Sequence, residues 1–234
     1  MTQAVRGATV GRMFIGHFAL GFAAKPIEPR LSLGVLLAAP QLLDLVWPVL
    51  VLAGVERVVI APGNTAFTPL AFTYYPWSHS LVASLIWSLL MGAALRASGA
   101  SWRASGIAAT LVASHWVLDF VSHRPDLPLW PDGPRVGLGL WRSVPATLSV
   151  EIVMYVAGVF LYARSTRAKD RVGTGAFLTL AAFLLVVYVA NVVGPTPPSA
   201  GAVAGSALAL WLIPLWGVWI ERHRSAVRDE APPS

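Results

Sequence analysis

The chain has 234 residues, 56% of them hydrophobic and only 12% charged, with a mean hydropathy of +0.66. A soluble domain carries roughly 25% charged residues, so this composition excludes a water-covered globule, a disordered chain and a secreted disulfide scaffold. Cysteine is absent, which removes disulfides, thiolate catalysis and Cys-based zinc sites, and the net charge of +6 sits in loops between apolar runs, where it marks membrane orientation rather than nucleic-acid binding.

Crossing hydrocarbon by helix takes about 20 mostly apolar residues. The first stretch, 8–24, is apolar without interruption only from Met13 and reads as a re-entrant helix, an interfacial helix or a seventh span. Gly16-His17 interrupts it, and Ala23-Ala24-Lys25-Pro26 makes a poor signal-peptide cleavage site. Six runs then meet the length, at 31–54, 79–98, 104–122, 145–163, 174–194 and 200–220. The expected fold is an all-α polytopic membrane bundle, one domain over 1–220, with a short solvated tail over 221–234. Ten Trp fit that reading, because Trp gathers at headgroup level.

Alternate loops differ in charge. One set holds Lys25, Arg30, Arg96, Arg103, Arg164, Arg167, Lys169, Arg171, Arg222, Arg224 and Arg228; the other holds Arg57, Arg124, Arg135 and Arg142. The first set is expected in the cytoplasm, together with the C-terminus. Connections 55–78 and 123–144 then lie outside. Both are rich in Pro, Gly and aromatic residues, and connections of this length often build a site.

Ionisable groups inside spans cost about 2.5–3.5 kcal/mol each on insertion scales. In this topology Asp44, His79, His115, Asp119, His123 and Glu151 all fall in the outer half of the membrane. His115 and Asp119, four apart on one helical face, can chelate one ion. His123 lies about 12 Å from His115 along the axis and suits an outer role, a second ion or proton transfer. Each residue also has a plainer reading. His115 and Asp119 can form an internal hydrogen bond, Asp44 can pack helices or line an ion path, and His79 can start a helix capped by Ser78. Glu151 can pair with Arg142 or Arg164, while Asn191 and His223 read as structural. Ser78-His79-Ser80 sets hydroxyls beside an imidazole, but adjacent helical residues do not face one another.

Gly16-His17-Phe18-Ala19-Leu20-Gly21, Pro40-x3-Asp44, Trp77-Ser78-His79-Ser80 and His115-x2-Leu118-Asp119 resemble motifs of the membrane-bound metal-dependent hydrolases, also described as LexA-regulated inner-membrane hydrolases. The likeness covers about residues 8–135. It implies a compact multi-pass inner-membrane protein with His17, Asp44, His79, His115 and Asp119 as metal ligands. Two positions depart from the pattern, Gln41 at the first acid of a Pro-Asp-x-Asp element and Ser78 at the Thr of a Thr-His-Ser element. Losing one charged ligand at Gln41 counts against a binuclear centre and leaves a mononuclear one.

The expected function is hydrolysis of a lipid-like ester or phosphoester by a metal-activated water. Histidine and carboxylate ligands without thiolate point to zinc, with Glu151 or His123 moving the proton. Two other classes compete. A proton- or cation-coupled transporter also uses intramembrane His and Asp, but transporters often show repeats, and none is seen here. A structural protein with an internally paired polar core is the other.

Overall fold

The computed structural model describes residues 15–227, and these are mostly helical. α1 (Ile15–Ala24) precedes a composite helix made of α2 (Leu33–Ala38), a 3-10 turn at Ala39–Gln41 and α3 (Leu42–Leu52). α4 (Pro76–His79) is one turn before α5 (Leu81–Ala97) and α6 (Trp102–Ser122). α7 (Val144–Ser165) and α8 (Arg171–Val193) follow, then α9 (Ala200–Ala207) and α10 (Leu212–Arg222), joined by a 3-10 turn at Leu208–Trp211. Local sequence sets the starts. Ser32, Ser80, Ser101, Ser143, Asp170 and Ser199 each accept a backbone N–H from the first turn of the helix they precede.

Among the described residues, five helical runs are long and apolar enough to cross a membrane: Leu33–Leu52, Trp102–Ser122, Val144–Ser165, Arg171–Val193 and Ala200–Arg222. The expected run at 79–98 becomes a 17-residue helix, because Ser80 rather than Ser78 is its cap. α1 is shorter still, and residues 8–14 of the first expected stretch lie outside the described residues. Polarity is not divided as in a soluble domain. His17, Ser84, Ser105, His115, Asp119, Thr147 and Glu151 are buried, while Leu89, Val153, Val186 and Val193 are 65–78% exposed. Such a surface is stable against lipid, where polar groups must be satisfied inside the bundle. Helices also approach closely through glycine. A Cβ on Gly34 of α2 would meet Val218 Cγ2 at 2.4 Å and the Pro214 carbonyl oxygen at 2.7 Å on α10.

Contacts between connections sort them into the two ends read from the charge count. At one end Arg103 donates to the Ile27 carbonyl, Lys25 pairs with Glu221 at 2.5 Å, and His223 Nδ1 meets Asp170 at 2.7 Å. That contact holds the Asp170 carboxyl below its ordinary range. At the other end Phe67 N–H donates to the Trp141 carbonyl, Val82 N–H to Leu129, and Arg135 to Thr73.

Two expectations need correction. Three short antiparallel ladders interrupt the all-α fold: β1 (Arg57–Ile60) with β2 (Leu70–Tyr74), β3 (Leu127–Pro128) with β4 (Arg135–Val136), and β5 (Thr166–Ala168) with β6 (Arg224–Ala226). Strands of two to five residues leave too few positions for alternation to show in the sequence. Nor is the tail solvated from Glu221. α10 continues to Arg222, and β6 docks on β5, with Arg224 buried over the Tyr162 and Phe177 rings. Residues 228–234 lie outside the described residues.

Gly34→Ala is expected to cost about 1–3 kcal/mol through overpacking, seen as a lowered melting temperature in detergent. Gly106→Ala is the control, since a Cβ there meets nothing within 4 Å. Equal behaviour of the two variants would refute the close helix approach.

Candidate metal centre

Four elements converge on one buried point. α6 presents His115 and Asp119 on one face and ends with His123 as its C-cap, while α1 brings His17, α3 brings Asp44 and α4 brings His79. All five residues named by the motif resemblance meet here. His79 Nε2 lies 3.3 Å from Asp44 Oδ1, and His115 Nε2 lies 3.3 Å from Asp119 Oδ2. His17 Nε2 is 3.6 Å from Asp119 Oδ1, His79 Nε2 is 3.8 Å from Asp119 Oδ2, and His115 Nε2 is 4.0 Å from Asp44 Oδ1. The His17 and His115 rings stand 3.9 Å apart. Asp44 is 28% exposed, whereas the other side chains of the set are at most 6% exposed.

The outer nitrogens of three imidazoles are held from behind. His115 Nδ1 meets the Pro40 carbonyl at 2.7 Å, at the 3-10 turn where proline interrupts the helical ladder. His79 Nδ1 lies 2.6 Å from Ser78 Oγ, whose hydroxyl donates to Glu56 Oε2 at 2.6 Å. Glu56 also accepts the Trp77 and Ser78 backbone N–H groups through Oε1, both at 2.8 Å. His123 Nδ1 meets Asp126 Oδ1 at 3.0 Å, and Arg124 Nε donates to Asp126 Oδ2 at 3.0 Å. A proton on each Nδ1 leaves each Nε2 with a lone pair aimed at the two carboxylates, the usual way a protein prepares a histidine ligand.

The distances separate two kinds of contact. Orienting contacts to Nδ1 measure 2.6–3.0 Å, the range of real hydrogen bonds. Those inside the cluster measure 3.3–4.0 Å. Ligand atoms bound at about 2.0–2.1 Å around a tetrahedral ion stand about 3.3–3.4 Å apart, the spacing of His79 from Asp44 and of His115 from Asp119. His115 Nε2 is buried without a hydrogen-bond partner, as a waiting ligand would be. Among the described residues no Lys or Arg lies within 4 Å of Asp44 or Asp119. Two triads, His17/His115/Asp119 and Asp44/His79/His115, have ligand atoms within 4.8 Å of one another. Both need His115 Nε2, because Nδ1 is committed to Pro40, so the two triads could hold no more than one ion between them.

His123 stands beside this set. Its Nε2 is 3.9 Å from Asp119 Oδ2, so His115 and His123 reach the same carboxylate from opposite sides although their backbones are two turns apart. The Trp141, Phe72 and Tyr75 rings cover it at centroid distances of 4.2, 5.1 and 6.0 Å. Burial, reinforced by the Asp126 and Asp119 charges, pushes the Tyr75 phenol well above its ordinary range, so it stays an O–H 3.4 Å from His123 Nδ1. Gly137 lets this cover close, since a Cβ there would strike the His123 and Arg124 carbonyl oxygens at 2.4 and 2.3 Å.

Glu151 is buried on α7 against the amino end of α1, close enough to Asp119 to feel its charge but outside the contacting set. It pairs with neither Arg142 nor Arg164. Adjacent Ser78 and His79 do face one another, against the sequence expectation, because His79 ends a helix of only one turn. The Ser78 proton is committed to Glu56, so the hydroxyl is not offered as a nucleophile. Glu56, Asp126 and the Pro40 carbonyl were not singled out from the sequence. Only the short spacing of His123 and Asp126 carried a readable signal. No protein-family model, curated protein or solved structure matches the chain.

Glu56→Gln and Ser78→Ala are each expected to weaken divalent-metal binding about 10–100-fold, measured by competition with a chromophoric chelator. Unchanged affinity in a folded variant would mean that His79 is not a ligand.

Proposed function

We propose that this protein is a membrane-embedded, metal-dependent hydrolase that cleaves a lipid-like ester or phosphoester. The observation that carries the reading is the set of imidazole Nε2 atoms, those of His79 and His115 fixed from behind, facing the Asp44 and Asp119 carboxylates at 3.3–4.0 Å. The motif resemblance to the membrane-bound metal-dependent hydrolases supports it. One divalent ion, zinc by the chemistry of the set, would be held by ligands drawn from His17, Asp44, His79, His115 and Asp119. Such an ion supplies a water acidified toward pKa ≈ 7 and polarises a carbonyl or phosphoryl oxygen.

The protein's own groups do the rest. His123, oriented by Asp126, takes a proton from the attacking water and returns it to the leaving alkoxide, so that water adds across the scissile C–O or P–O bond. Its place beside Asp119 favours it over Glu151 for that work. Asp44, the partly exposed member, sits in an apolar span, and aromatic rings cover the His123 side. The open side therefore suits a substrate arriving from the bilayer. The compactness of the set favours a reaction site over a proton path, which would string its groups across the membrane. The cationic connections on the C-terminal side support a cytoplasmic C-terminus in an inner or plasma membrane.

Purified protein in mixed micelles is expected to hydrolyse members of a panel of lipid esters and phosphoesters. Chelation should abolish the activity and zinc restore it, while His115→Ala and Asp119→Ala should remain inactive with zinc added. Activity that survives in both variants would refute the site.

His123→Asn is expected to lower kcat about 10²–10⁴-fold while the variant keeps its ion. Loss of the ion in that variant would make His123 a ligand instead.

A further inference from the structure

The end of the bundle opposite His123 carries a second built feature. Around the β5–β6 ladder, Arg164, Arg167, Lys169, Arg171 and Arg222 are exposed. The acids there are used internally. Asp170 accepts from His223 at 2.7 Å and from the Gly173 N–H at 2.8 Å, while Glu221 accepts from Lys25 at 2.5 Å and from the Leu33 N–H at 3.1 Å. The platform is fixed rather than a loose loop. Arg167 pairs with Ser225 in the ladder, and Lys169 N–H donates to the His223 carbonyl at 2.9 Å. Among the described cations of this segment, Arg224 alone is turned inward. It donates to Thr166 Oγ1 at 2.9 and 3.0 Å, to the Thr166 carbonyl at 3.2 Å and to the Gly173 carbonyl at 3.3 Å.

A second observation fixes the level of this face. Phe160 lies one turn before Arg164, exposed beneath its guanidinium at 5.4 Å, and Val172 and Trp219 are exposed on the neighbouring helices. Aromatic and aliphatic side chains meeting a row of cations mark the boundary between hydrocarbon and headgroups. We propose that the cationic face formed by β5, β6 and the adjoining ends of α7, α8 and α10 binds the phosphodiester headgroups of anionic phospholipids in its own leaflet. Five outward cations, Asp170 and Glu221 both engaged by internal partners, and an apolar rim directly beneath are what such headgroups require. A soluble phosphate offers nothing for the rim to hold.

The test uses the full-length protein in detergent, titrated with phosphatidylglycerol or phosphatidylcholine and read by native mass spectrometry. Phosphatidylglycerol is expected to bind in preference. The triple variant Arg167→Gln, Lys169→Gln, Arg171→Gln should lose about tenfold or more of that binding while keeping its metal content. Arg164→Gln with Arg222→Gln should weaken it independently, which guards against misfolding of one variant. Arg57→Gln with Arg135→Gln, exposed at the opposite end, should leave it unchanged. Equal binding of the two lipids, or full binding in both cationic-face variants, would overturn the proposal. Displacement by millimolar glycerol phosphate would overturn it as well, by showing a site for free phosphate.

Discussion

Two carboxylates inside an apolar bundle are the constraint that the rest of the structure answers. Asp44 and Asp119 lie within reach of four imidazoles and, among the described residues, of no lysine or arginine. Burying an ion without a partner costs several kcal/mol even after relaxation. One divalent cation balances two carboxylates while leaving the imidazoles neutral, the state in which they donate lone pairs. Histidinium ions are the other way to balance them, through the 3.3 Å pairs of His79 with Asp44 and His115 with Asp119. The spacing of 3.3–4.0 Å is longer than the 3.0 Å of His123 to Asp126 or the 2.7 Å of His223 to Asp170 in the same molecule.

The fold supplies its irregularities where this centre needs them. The 3-10 turn at Pro40 offers a carbonyl to His115, and the single turn of α4 sets Ser78 against His79 with Glu56 behind both. The end of α6 lets His123 turn toward Asp126. A regular helix would satisfy its own backbone and leave no carbonyl for a histidine. The two ends of the bundle then differ in character. One covers the centre with aromatic rings, and the other is a polar seal in which Lys25–Glu221 and the β5–β6 ladder tie the first helix and the tail to the rest.

Much of this was legible in the sequence. Composition and run length gave a helical membrane bundle, and the depth of His79, His115, Asp119 and Asp44 marked a shared polar site. His17 was readable only through its motif, because its short helix has no unambiguous span pattern; the structure sets its ring against His115. The orienting groups were hidden for a physical reason. Glu56 precedes His79 by 23 residues and sits in a connection, Pro40 acts through its backbone, and neither shares a helical face with its histidine. The docked tail was hidden too, since a chain end rich in arginine reads as solvated until Arg224 finds the Tyr162 and Phe177 rings.

Everything proposed for the centre depends on the histidine and carboxylate set holding one divalent ion. Elemental analysis of the detergent-purified, monodisperse protein tests it most directly. About one equivalent of zinc per chain is expected, absent from His115→Ala and from Asp119→Ala. Metal-free protein that is fully folded and gains no ion on dialysis against zinc would contradict it, and so would two equivalents per chain.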